Sequence, residues 1–219
     1  MISPENSLPD GGKPAFTLIE MIAVIAISVI LLVAGANLLT GSGTQSRKAG
    51  ADLLAGMIEQ ARTAAITHRS HVVLAVAEPG DLSEDDGRCR LGLFRVETWP
   101  ALPPDSVEAV LMGRWRTLET GVIPIGGEVE GVINPLDGDE LTISYGTTRP
   151  LTVRAHAIGF NPRGGLHYPP GSGTVTLRLA EGYYREGKAT AYRHGASGAI
   201  AENRLKIGRV TARPYRIDE

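Results

Sequence analysis

The chain has 219 residues, with 22 Lys and Arg against 24 Asp and Glu, a formal net charge of -2 and a sequence pI ≈ 6.2. So close a balance implies neither nucleic acid nor an acidic membrane as a partner of the whole chain. The single cysteine, Cys89, excludes an intrachain disulfide and gives no basis for a cysteine zinc site, while Gly 27 and Pro 14 suit a turn-rich β domain.

Residues 1–15 are polar, with Glu5, Asp10 and Lys13, and a long apolar run follows from Phe16 to about Leu39. Between Met21 and Ala36 only Ser28 and Gly35 are not apolar, and no charge interrupts the run. A helix over Phe16–Leu39 would be roughly 36 Å long, against about 30 Å of bilayer hydrocarbon, so the run predicts a membrane-spanning segment. A secretory signal would place its small-residue cleavage site after the apolar core. Here the small residue, Ala15, comes before it, and cleavage between Ala15 and Phe16 would leave the apolar helix as a new N-terminus. Glu20 sits just inside that helix, where a carboxylate in lipid costs several kcal/mol unless it finds a partner.

Thr40-Gly41-Ser42-Gly43-Thr44 follows, a stretch that could break or loosen a helix. From Gln45 the pattern becomes amphipathic, with Leu54, Met57/Ile58, Ala61 and Ala65 at helical spacing. The expectation is one helix from Phe16 to about His68, roughly 80 Å long, with its first half in lipid and its second half on the following domain. At His71 the period changes to that of strands. His71–Ala77 (HVVLAVA) reads as the first strand and Cys89–Thr98 as the second. Further candidates are Val107–Leu118, Val122–Ile125, Glu140–Tyr145, Leu151–Ile158 and Thr174–Ala180, with a closing hairpin or pair of strands in Arg204–Glu219. The predicted fold is α+β: a long N-terminal α-helix, membrane-spanning in its first half, packed on a C-terminal antiparallel β-sheet domain. The predicted segments are 1–15 leader, 16–39 spanning helix, 40–70 amphipathic continuation and 71–219 β-rich domain.

The stretch Ala15-Phe16-Thr17-Leu18-Ile19-Glu20, joined to an apolar helix, resembles the type IV prepilin family, which includes the pseudopilins of type II secretion. Ala15 stands where Gly is usual in that motif. Gln60-Ala61-Arg62-Thr63-Ala64-Ala65-Ile66 running into Val72-Val73-Leu74 resembles the GspH/FimT group. Ile158-Gly159-Phe160-Asn161-Pro162-Arg163-Gly164 and Ile207-Gly208-Arg209-Val210 resemble two later segments of the same group. The resemblance implies a non-enzymatic minor pseudopilin, with a pilin-like fold, cut between Ala15 and Phe16 by a prepilin peptidase and N-methylated at Phe16. Its implied partners are that peptidase, other major and minor pseudopilins in a filament, the inner-membrane assembly platform and membrane lipid. Its implied location is a single pass in the inner membrane with the C-terminal domain in the periplasm, assembled into a periplasmic pseudopilus. Glu20 would then pair with the Phe16 ammonium of a neighbouring subunit. The second reading is a minor type IV pilin concerned with DNA uptake or adhesion.

No catalytic constellation, cofactor site or metal site stands out. His68 and His71 form an H-x-x-H without the glutamate of a zinc-protease motif, and read as structural or surface histidines. Cys89 reads as a half-buried strand residue. Asp137, Asp139 and Glu140 cluster without the EF-hand pattern and read as a solvated acidic turn rather than a calcium site. From Arg178 onward nine basic residues face five acidic ones, with tyrosines interleaved. Arg204, Lys206, Arg209, Arg213 and Arg216 are therefore the candidate DNA contacts, and a solvated sheet face is the plainer alternative.

Overall fold

The computed structural model describes residues 17–40, 42–82, 87–100, 105–127, 131–146, 149–194 and 198–217, with the side chains of 33–43 outside the description. Two helices come first, α1 (Leu18–Thr40) and α2 (Ser42–His68). Among the described residues thirteen strands follow: β1 (His71–Ala77), β2 (Arg90–Val96), β3 (Ser106–Leu111), β4 (Arg116–Thr117), β5 (Val122–Ile125), β6 (Val132–Ile133), β7 (Leu141–Tyr145), β8 (Leu151–Phe160), β9 (Leu166–Tyr168), β10 (Thr174–Arg185), β11 (Lys188–Ala191), β12 (Glu202–Ile207) and β13 (Pro214–Ile217). The chain divides into two compact units, Met1–Ser42 and Gly43–Glu219.

This corrects the expected fold. The single helix from Phe16 to His68 is replaced by two, α1 and α2. A glycine weakens a helix by about 1 kcal/mol relative to alanine, and the sequence has one at 41 and one at 43. The expected antiparallel sheet packed on one long helix is replaced by a closed barrel with a second sheet. The membrane crossing, and with it the single-pass location, is corrected too. Among the described residues no helix is long and apolar enough to cross a membrane.

Helix α2 ends by a left-handed turn. The Ser70 N–H donates to the Ala65 carbonyl at 3.3 Å and the Arg69 N–H to that of Ile66 at 3.3 Å. This double closure satisfies two of the carbonyls left open at a helix end, and it holds Arg69 at φ 50. The chain turns there directly into β1.

The barrel closes because β1 is paired on both edges. It runs antiparallel to β2 (Leu74↔Leu93) and to β8 (Leu74↔Ile158). The ring continues from β2 to β3 antiparallel, from β3 to β7 parallel, and from β7 to β8 antiparallel, giving five strands. Alternation then sorts the side chains. Val73, Ala75, Ala77, Phe94, Val96, Val107, Leu141, Ile143, Val153, Ala155 and Ala157 share one buried cluster, the barrel interior. Phe94 fills its centre, edge-on to Trp115 and Tyr145 at 5.4 and 5.2 Å between ring centroids. Gly92 makes room for these rings, since a Cβ there would lie 2.8 Å from Trp115 and 2.9 Å from Phe94.

The other face of the same strands forms the second core. Val72, Leu74 and Val76 of β1, with Leu91, Leu93, Ile158 and Phe160, are buried in one cluster with Leu54, Met57, Ile58, Ala61 and Ala65 of α2. Val175, Leu177, Leu179, Leu205 and Ile207 of the second sheet complete it. That sheet runs β11-β10-β12-β13, with β5 and β6 also paired to β10. Strand β1 is buried on both faces, which is why its sequence is an unbroken apolar run.

Candidate assembly site

The sequence Thr17-Leu18-Ile19-Glu20 builds the start of α1. The Thr17 N–H donates to Glu20 Oε2 at 2.8 Å, the Thr17 hydroxyl donates to the same oxygen at 2.9 Å, and the Glu20 N–H donates to Thr17 Oγ1 at 3.3 Å. A Thr and a Glu three residues apart, bonding each other's backbone N–H reciprocally, make a capping box. Glu20 therefore has a partner within its own chain and its own turn, Thr17. Ala15 and Phe16, the expected cleavage and methylation positions, lie outside the described residues.

Among the described side chains of this helix, which reach Leu32, the surroundings of α1 meet apolar groups beyond the cap. Leu18, Ile19, Met21, Ile22, Val24, Ile25, Ile27, Val29, Ile30, Leu31 and Leu32 are all at least half exposed. The one hydroxyl among them, Ser28 Oγ, donates to the Val24 carbonyl at 2.8 Å and so turns its polarity inward. An ordinary surface helix is apolar along one stripe only. A helix apolar all round must be covered by other apolar matter, because exposed patches beyond a few hundred Å² are rare on a stable monomer.

The remaining sequence candidates fall into structural positions. Cys89 is fully buried, and burial, followed by the charge of Glu78, drives its thiol far above the ordinary range, so it is no nucleophile. Asp137 accepts from the Gly127 N–H at 2.7 Å and belongs to a short 3-10 turn, Pro135–Asp137, capped by Asn134. Glu140 pairs with Arg154 at 3.1 Å. Among the described residues no group of three or more His, Cys, Asp or Glu is placed to hold a metal ion. An open groove lined by Gln60, Arg95, Val110, Met112 and Gly113 has no convergent set of catalytic groups.

Of the five basic residues picked out near the C-terminus, three are engaged within the chain. Arg204 binds Glu202, which Arg178 also holds at 2.6 Å. Arg209 donates to the carbonyls of Pro169 at 2.7 Å and Gly173 at 2.8 Å. Arg216 binds Asp52 and the Lys48 carbonyl. Lys206 is half-buried and Arg213 exposed. Burial raises the Glu202 carboxyl, but its bonds to Arg178 and Arg204 outweigh this and hold it below the ordinary value.

Two constellations escaped the sequence reading because their members are far apart in the chain. In the first, Glu78 and Asp81 lie near Glu140, His156 and Arg154. Burial and the neighbouring carboxylates push Glu78 up; burial, partly offset by the Glu78 N–H, pushes up Asp81. A carboxyl raised in the folded state binds its proton more tightly there than in the unfolded chain. Its contribution therefore favours folding as pH falls through the raised value, and is lost as pH rises through it. Glu78→Gln is expected to raise Tm by about 2 °C at about pH 7 and to change it little at about pH 4, measured by thermal melts. In the second constellation His71, Trp99 and His167 meet, and burial together with the charge of His167 holds the His71 imidazole below its ordinary value.

The comparisons with known proteins add no relative. No family model, curated protein or solved structure matches this chain.

Proposed function

We propose that the chain is a filament subunit of the minor pseudopilin kind, serving type II secretion, that is cut between Ala15 and Phe16 by a prepilin peptidase and assembles through α1. The observation that carries this reading is the exposed apolar surface of α1 from Leu18 to Leu32, opened by the Thr17–Glu20 capping box at the place where the processing motif resembles that of prepilins. A bundle of like helices from other subunits supplies the cover that such a surface needs, and Ala23, Ala26 and Ser28 allow close approach between them. The capping box survives cleavage, because the amide between Phe16 and Thr17 is left intact. Unit Gly43–Glu219, with its own two cores, is the part of each subunit that does not depend on that bundle to bury its apolar side chains. The subunit is a substrate of the peptidase and a structural partner of other pseudopilins, and it performs no chemistry of its own.

The test is the intact mass and N-terminal residue of the protein expressed with and without a prepilin peptidase. The expected product begins at Phe16, methylated or not, only when the peptidase is present. A chain that still begins at Met1 beside an active peptidase would sink the proposal.

A further inference from the structure

We propose that His71 and His167 form a two-imidazole binding site for a divalent transition-metal ion of the zinc class, walled by Trp99. His71 opens β1, on the same face as Val73, Ala75 and Ala77, and His167 is the middle residue of β9. Strand β8 pairs with both β1 and β9, and so brings together two histidines that are remote in the sequence. Their ring centroids are 5.1 Å apart. With Zn–N bonds of about 2.0–2.1 Å and about 1.1 Å from each nitrogen to its ring centre, two imidazoles at the tetrahedral angle have centres about 5 Å apart. The pair thus stands at the separation a shared ion requires. Each ring can turn about χ2, a broad torsion, to aim a nitrogen at the space between them.

The surroundings suit a metal better than a pair of free imidazolium ions. Trp99 lies 5.5 Å from the His71 ring and 5.2 Å from the His167 ring, and 6.0 Å from Tyr168, so an apolar wall shields one side. Metal ligation needs neutral imidazole, and the environment of His71 favours its neutral form. His167 is exposed, which gives an ion a path in. Two ligands fill half of a tetrahedral shell, and the other positions are open to water or to a donor from another molecule.

Titration calorimetry of tag-free, metal-stripped protein with zinc chloride at about pH 7.5 tests this. The expected result is saturable binding of one ion per chain, weakened at least about tenfold by His71→Ala and by His167→Ala and unchanged by His68→Ala and His194→Ala. In imidazole 15N spectra, zinc is expected to move the resonances of His71 and His167 and leave the other histidines in place. Since His167 is exposed, His167→Gln is expected to fold as the wild type does, and thermal melts without metal check this. Absence of saturable binding, or binding that survives His167→Gln, would overturn the proposal and leave a stacked aromatic cluster. Neither result depends on whether the chain is processed or assembles.

Discussion

Phe94→Ala is expected to destabilise the protein by about 4 kcal/mol, seen as a lower urea midpoint with an unchanged slope. Phe94 is fully buried at the centre of a five-strand barrel whose other inward residues on β1 and β8 are Val and Ala. Small neighbours cannot reach into the space it leaves. The backbone ring closes on itself and so cannot collapse, which keeps the cavity open and its cost near the upper range for such changes. Trp115 emission reports the event directly, because its ring meets Phe94 edge-on at 5.4 Å. Val110→Ala, at a position 43% exposed on β3, serves as the control and is expected to change stability by less than about 0.5 kcal/mol. A loss below about 1 kcal/mol for Phe94→Ala would mean that the barrel interior is not close-packed.

The second large effect concerns Glu20, for which two roles now compete. The capping box assigns it to the Thr17 N–H, whereas the filament proposal assigns its charge to the Phe16 ammonium of a neighbour. Glutamine separates them, since it completes a capping box as glutamate does but carries no charge. Assembly is measured as sedimentable filament in cells that contain the peptidase and the other subunits. Glu20→Gln and Glu20→Ala are both expected to lower the yield at least about tenfold, the equivalent of about 1.4 kcal/mol. Should Glu20→Gln assemble as the wild type does, the cap alone would be what the position supplies. The two roles are compatible in sequence, for a free subunit can keep its carboxylate on Thr17 until an ammonium displaces it.

Local pattern made much of the β region legible. His71–Ala77 and Val122–Ile125 coincide with β1 and β5, because apolar β-branched runs bounded by turn residues have few other solutions. The apolar positions read along 45–68 are those that α2 buries. What the pattern lacked was pairing. HVVLAVA is apolar at every position after His71, so periodicity could not show that Val73, Ala75 and Ala77 face a barrel while Val72, Leu74 and Val76 face α2. The parallel pairing of β3 with β7 joins strands with several elements between them, and nothing within either strand encodes it. An apolar run joined to an amphipathic one without a proline reads as one helix, whereas the chain forms two. At the candidate site the Thr-x-x-Glu spacing of Thr17 and Glu20 is a capping-box signature in the sequence itself. His71 stands three residues from His68 in the sequence, but its neighbour in space is His167.

Closure of the barrel sets a timetable for synthesis. Strand β1 is complete by Ala77, but the strand that seals its second edge, β8, begins only at Leu151. At roughly 5–20 residues per second, the nascent chain spends several seconds with that edge unpaired. The wait is longer for α2, whose buried face is also covered by Val175, Leu177 and Leu205 from the last strands to emerge. The molecule is most prone to wrong partners as an unfinished chain, and a translational pause before β8 would prolong its need for a chaperone.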